Sequence, residues 1–235
     1  MPEWIVRLVG AERDLRFLAT TLREADCRVT KKDGEFHLRS SRFEALADAG
    51  EVKTAADEMI ERANLAAVIR FERYGGVLPG EVVGLEPDGS RHVTVFLKAG
   101  ALLMAAPATA FGSVTVVGSQ TKPEPLDLTR DMSLLQRRPL LLKALKHVRD
   151  EPGWPGYWKA VEALGEQVGG LHRIPELGWA SEDEVDRFRK TAHHHRHHRK
   201  PAPPNPMTEI EGRSFVLRLL LRCLDWELSG RSGTR

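Results

Sequence analysis

Prolines at 201, 203, 204 and 206 fall within six residues, so no helix can run through the last third of this chain uninterrupted. Both flanks carry helix-start signals. Upstream, Ser181-Glu182-Asp183-Glu184 has the spacing of a capping box. The hydroxyl takes an orphan N–H, the glutamate reaches back, and the acidic turn suits the positive helix end. Val185, Phe188 and Ala192 then mark an apolar stripe, leaving Arg187, Arg189 and Lys190 on other faces. Downstream, Thr208 and Glu211 repeat the spacing. Val216, Leu217, Leu220, Leu221, Leu224 and Leu228 cover more than one face of the helix that follows, as expected for the middle of a bundle. Between the two helices lies RFRKTAHHHRHHRKPAPPNP, residues 187–206, with five of the nine histidines of the chain.

The preceding segment reads as helical too. Ser133 can cap a helix with Leu134, Leu135, Leu141, Leu142, Leu145 and Val148 as apolar positions, kinked or restarted at Pro139. Tyr157, Val161, Leu164 and Val168 form the stripe of another, which Gly169-Gly170 is suited to stop. Leu171 to Trp179 reads as a loop. Residues 119–131, SQTKPEPLDLTRD, have no period and two prolines, which suits a linker.

The first half has different periodicities. Trp4 to Val9 is an apolar run, and Leu15, Leu18 and Leu22 recur at helical spacing after it. Residues 27–32 and 35–39 alternate around Asp33-Gly34, a dipeptide that favours a tight hairpin. A helix is expected over Glu51 to Phe71 on Val52, Ala55, Ala56, Met59, Ala63 and Ala66. Strands follow at Glu81–Leu85, Arg91–Leu97, Ala101–Ala105 and Val114–Val117. The expected class is α+β. An α+β domain with a mainly antiparallel sheet (1–118) and a linker (119–131) precede an all-α helical bundle (132–228) and a disordered tail (229–235). No strand-to-helix junction carries GxGxxG or GxxxxGK[ST], so no phosphate loop is expected.

A formal charge of +2 excludes a general nucleic-acid coat, so polyanion binding has to come from a local cluster. Cys27 and Cys223, far apart, are expected to be buried thiols. No run reaches the roughly 20 apolar residues of a membrane span, and MPEWIVRLVG lacks a basic leader with a long apolar run. The expectation is a cytoplasmic protein without a membrane partner.

Cleavage of RNA without metal requires one group to move the 2′-hydroxyl proton, another to protonate the leaving oxygen, and cationic donors for the phosphorane. Histidine and arginine supply them. Arg189 and His193 are an i, i+4 pair on a continuing helix, and Arg187 and His194 nearly align after two turns. Arg187 to His193, Arg189 to His194 and Arg189 to His195 each place a His beyond an Arg near a helix end, with four to six residues between them. With the loop and final apolar helix that follow, residues 132–228 resemble the HEPN superfamily, helical bundles common in prokaryotic toxin and anti-phage systems. Phe188 or Lys190 follows the candidate arginine where the family usually has a polar residue. The resemblance implies Arg187, Arg189, His193 and His194 as catalytic residues and a homodimer through the C-terminal helices. Lys190, Arg196, His197, His198, Arg199 and Lys200 would contact RNA phosphates. Many members of that superfamily are inactive binding modules, so binding without cleavage stays open. So do an interaction module built on the leucine-rich helices and a solvated polar run. A histidine-rich metal-binding regulator is a further alternative, but consecutive histidines seldom converge on one ion without Cys or carboxylates, so no metal ligand is assigned and no cofactor is expected.

Overall fold

A computed structural model describes residues 2–24, 26–71, 74–96, 126–196 and 203–230. Its first half is a six-stranded antiparallel sheet of order β2-β3-β4-β1-β5-β6, with β1 (Glu3–Gly10), β2 (Arg23–Glu24), β3 (Cys27–Lys32), β4 (Glu35–Arg39), β5 (Val77–Leu85) and β6 (Arg91–Thr94). β1 is central, pairing Val6 with Leu38 of β4 and with Val82 of β5. The hairpin between β3 and β4 turns on Asp33 and Gly34, both at positive φ (51° and 84°), a two-residue turn whose twist matches the strands. The strand expected over Arg91–Leu97 ends at Thr94 as β6; Leu97 and the strands expected at Ala101–Ala105 and Val114–Val117 lie outside the described residues.

Two helices pack on the sheet, α1 (Glu12–Thr21) and α2 (Ala49–Arg70), and a 3₁₀ turn spans Ser41–Ala45. Asp48 caps α2, accepting from the N–H groups of Gly50 (2.7 Å) and Glu51 (2.9 Å), so the helix starts slightly before the position expected from its apolar stripe. Its burial is also broader than one stripe. Ile60, Leu65 and Ala67 are buried together with Val52, Ala56, Met59, Ala63 and Ala66, because α2 meets the sheet on one side and the C-terminal helices on the other.

Those helices are α3 (Leu128–Arg137), α4 (Pro139–Asp150), α5 (Trp154–Val168), α6 (Arg173–Glu176), α7 (Glu182–Arg196) and α8 (Glu209–Leu228). The segment read as a linker is shorter than expected at its C-terminal end. Asp127 caps α3 through the N–H of Thr129 (2.9 Å), and Leu128 is fully buried, so 128–131 are helix; a leading Asp-Leu was too short a signal beside the prolines upstream. Pro139 restarts the chain at the first position of α4, where its missing N–H costs nothing. Residues 171–179, read as a loop, contain the single turn α6.

Apolar residues of both halves belong to one continuous cluster. Across the junction, Arg70 of α2 makes a bidentate pair with Asp131 of α3 (Nε 2.9 Å, Nη2 3.1 Å) and reaches Asp225 of α8 (2.8 Å). Among the described residues, no helix is long and apolar enough to cross a membrane.

Candidate nucleic-acid interface

The candidate site is the second half of α7. The helix begins as expected: Glu184 N–H donates to Ser181 Oγ (3.1 Å) and Ser181 N–H to the Glu184 carboxylate (3.1 Å). Those backbone bonds, with Arg218 of α8 alongside (2.8 Å), hold the Glu184 carboxyl below its usual range. Charge is segregated along the helix: Glu182, Asp183 and Glu184 fill its first turn, and His193, His194, His195 and Arg196 its last. That is the polarity the helix dipole favours.

Burial fixes the rotation of α7. Phe188 and Ala192 are buried as expected, and Phe188 stacks on Phe215 of α8 (centroids 4.9 Å apart). Thr191, which periodicity did not single out, is fully buried as well. Its hydroxyl donates to Arg187 O (2.9 Å) and accepts from Met207 N–H (3.1 Å), seating the chain where it returns after the prolines.

Arg187 works at the same closure. Its guanidinium donates to Asn205 O (3.0 Å) and Pro206 O (3.1 Å) and pairs with Glu211 (3.3 Å), the carboxylate that also completes the Thr208 capping box. The planar fork therefore ties α7, the proline segment and the start of α8 together. Sequence spacing could not show this, because Asn205 and Pro206 contribute only backbone carbonyls.

Arg189 and Lys190 project from the exposed side and share one carboxylate, Asp186, each at 2.6 Å. Together they hold the Asp186 carboxyl below its usual range, with Lys190 the stronger influence. Two cations on one carboxylate leave a net positive charge on this face.

The last turn of α7 lies across the first turn of α5. His195 stacks on Trp154 (5.1 Å between centroids, 3° between planes), His193 is tilted against Trp158 (4.7 Å), and the Arg196 guanidinium lies over the Trp158 ring (5.8 Å). His194 meets His195 edge to face (5.4 Å). Trp154 and Trp158 are each only 6% exposed, so these rings are packing partners of the basic turn and offer bases no open platform. Trp154 also presses on α8 at Gly212, where a Cβ would come within 2.6 Å of the indole. Trp179 is likewise buried, against Trp226.

Of the ten residues assigned to the site from sequence, Arg187, Arg189, Lys190, His193, His194 and Arg196 are thus on α7. His197, His198, Arg199 and Lys200 lie outside the described residues. Among the described residues, no group of three or more His, Cys, Asp or Glu is arranged to hold a metal ion. Two cavities, of about 320 and 500 Å³, lie on the other half of the molecule beside α2 and β5, both touching Asp57, Leu78 and Pro79. Charged groups along them are ion-paired, Lys53 with Asp57 (2.6 Å) and Glu61 with Lys146 (3.0 Å). No protein-family model matches this chain, and no curated protein or solved structure is detectably similar to it.

Proposed function

We propose that this protein binds single-stranded RNA through the basic end of α7, with Arg189, Lys190, His194 and Arg196 contacting phosphates. The observation that carries this reading is the charge of one short stretch: residues 187–200 hold six Arg or Lys, five His and no Asp or Glu in a chain whose net charge is only +2. Asp186 offsets part of the charge from Arg189 and Lys190, and Arg187 is engaged by Glu211. Arg196 adds charge in the last turn of α7, and Arg199 and Lys200 follow it in the sequence. Phosphate contacts made by such a cluster are sequence-independent and salt-sensitive.

Metal-independent RNA cleavage is the second reading. In its favour, α7 runs without a break from Glu182 to Arg196, so Arg189 and His193 are one helical turn apart. Against a catalytic role for Arg187 stand its two carbonyl bonds and its pairing with Glu211, which give it a structural task. Dimerisation through the leucine-rich helices has less to work with, because Val216, Leu219, Leu220 and Leu224 are already buried within one chain.

The test is to mix full-length protein with single-stranded RNA in the presence of chelator and follow binding and strand length together. Binding by the wild type, weakened when Arg189, Lys190 and Arg196 are replaced by Gln, is the expected result. Cleavage that disappears in Arg189→Ala, His193→Ala and His194→Ala would promote the second reading. Absence of both binding and cleavage at low salt would overturn the assignment to RNA.

A further inference from the structure

Six large apolar residues are exposed among the described residues, and four of them, Val9, Leu78, Val95 and Phe96, line the cavity of about 320 Å³ beside α2 and β5. Exposed apolar side chains gathered around a concavity mark a binding surface, whereas scattered ones need no explanation. The strands account for the space. Val6 pairs with Val82 but Leu8 with Pro79, so Gly80 and Glu81 of β5 both face Arg7 of β1 in a bulge. β6 ends at Thr94, opposite Val82, so Val95 and Phe96 follow it just where the bulge begins. Gly80 adds no side chain, and a Cβ there would come within 3.1 Å of Val9. On the α2 side stand Lys53 and Asp57, one helical turn apart. The Lys53 ammonium, its side chain 11% exposed, donates to both carboxylate oxygens (2.6 and 2.7 Å). Arg7, the other cation of the lining, pairs with Glu35 (3.1 Å) and Glu81 (3.4 Å). Every charged residue lining this cavity thus has its counter-charge within the protein. Asp57, Leu78 and Pro79 also border the cavity of about 500 Å³, to which Thr54, Glu58 and Glu61 contribute polar groups.

We propose that these two adjoining cavities bind an uncharged single-chain amphiphile, its aliphatic chain against Val9, Leu78, Val95 and Phe96 and a hydroxyl-bearing head against Thr54, Glu58 and Glu61. The site is independent of RNA binding by α7. Charge selects the class of ligand. An ionised head would have to break one of the existing ion pairs or lie unpaired beside them, and an unpaired ion taken out of water is costly. A hydroxyl head requires neither, because a carboxylate can accept more hydrogen bonds than its ion-pair partners supply. Glu61, for example, is met by Lys146 (3.0 Å) and Arg149 (3.1 Å) on separate oxygens. Volume sets the chain: an apolar cavity of about 150 Å³ holds one benzene ring, so about twice that volume takes a chain of about ten carbons.

The experiment titrates the full-length protein by calorimetry, below micelle-forming concentrations, with monooctanoylglycerol, methyl octanoate, octanoate, octylamine and glycerol. Wild type should bind monooctanoylglycerol roughly tenfold or more tightly than octanoate or octylamine. It should give no binding heat with glycerol, and each methylene removed from the chain should weaken binding about fourfold. Val95→Asp, a change at a residue 59% exposed, puts a carboxylate on the apolar wall and should weaken monooctanoylglycerol roughly tenfold while RNA binding stays as in the wild type. Glu58→Ala, at a side chain 55% exposed, should reduce the preference for monooctanoylglycerol over methyl octanoate and leave methyl octanoate itself unaffected. Equal affinity for the neutral and ionised heads, or an affinity unchanged in Val95→Asp, would overturn the proposal. So would a wild type that binds no amphiphile and sediments as a dimer which Val95→Asp dissociates, since a second copy of the chain would then occupy this surface.

Discussion

Replacing Arg70 by Ala should destabilise the whole molecule, because one guanidinium serves two carboxylates in different surroundings. Asp131 is 2% exposed and held by two hydrogen bonds, whereas Asp225 is 52% exposed and held by one contact at 2.8 Å. Removing one partner of a buried pair leaves an uncompensated charge and costs about 3–5 kcal/mol. An exposed pair contributes at most about 1 kcal/mol. Arg70→Ala should therefore lower stability by about 3–5 kcal/mol, mostly through Asp131. At roughly 2–4 °C per kcal/mol for a chain of this size, that is a fall in Tm of roughly 6–20 °C. Asp225→Ala should cost no more than about 1 kcal/mol. The double change Arg70→Met with Asp131→Leu should recover most of the loss, since neither buried charge remains. Because the pair joins α2 to α3 within one apolar cluster, the drop should appear in a single transition by both circular dichroism and tryptophan fluorescence. Two separated transitions, or equal losses in Arg70→Ala and Asp225→Ala, would refute the claim that the two halves share one buried junction.

Other expectations follow from local chemistry. Arg187→Ala should cost about 1–3 kcal/mol through its lost bonds to Asn205 O, Pro206 O and Glu211, and RNA binding by the refolded variant should weaken no more than for one lost charge; abolished binding with intact stability would make Arg187 part of the site instead. Cys27 and Cys223 are buried and their thiols pushed up to about 12, so neither should react with a thiol reagent in the native protein at neutral pH, while both react after denaturation. Burial lowers the pKa of His37, 7% exposed on β4, below that of an unfolded histidine. The folded state thus binds this proton less readily, so its contribution to stability is full above about pH 6.5 and is lost as pH falls through the lowered value; His37→Phe should flatten that part of the pH profile, as measured by denaturant titration.

Much of the secondary structure is legible in the sequence because the signals are local. Asp33-Gly34 marks the hairpin, the two capping boxes mark the starts of α7 and α8, and Pro139 marks the start of α4. Where tertiary contacts decide, periodicity is a poorer guide. In α8 the buried set is Phe215, Val216, Leu219, Leu220, Cys223 and Leu224, while Leu217 and Leu221, expected in the core, are half-buried; a helix apolar on several faces leaves its rotation to its neighbours. The start of α3 was hidden by its short apolar lead. At the candidate site, the run of Arg and His puts Arg187, Arg189, Lys190, His193, His194 and Arg196 on α7. It gives no hint that Arg187 is occupied by two backbone carbonyls or that His195 and Arg196 rest on Trp154 and Trp158, since those partners come from elements distant in sequence. Residue chemistry is readable from a run of side chains, but the partners that restrain it are not.

RNA binding by the basic end of α7, as proposed, rests on phosphate contacts, and the salt dependence of binding reports their number. Affinity of the wild type for a single-stranded oligonucleotide should fall steeply with salt, and each of Arg189→Gln, Lys190→Gln and Arg196→Gln should reduce the slope of log Kd against log salt by about 0.7, the value for one phosphate contact on a single strand. Binding that is insensitive to salt, or slopes unchanged in all three variants, would contradict the account.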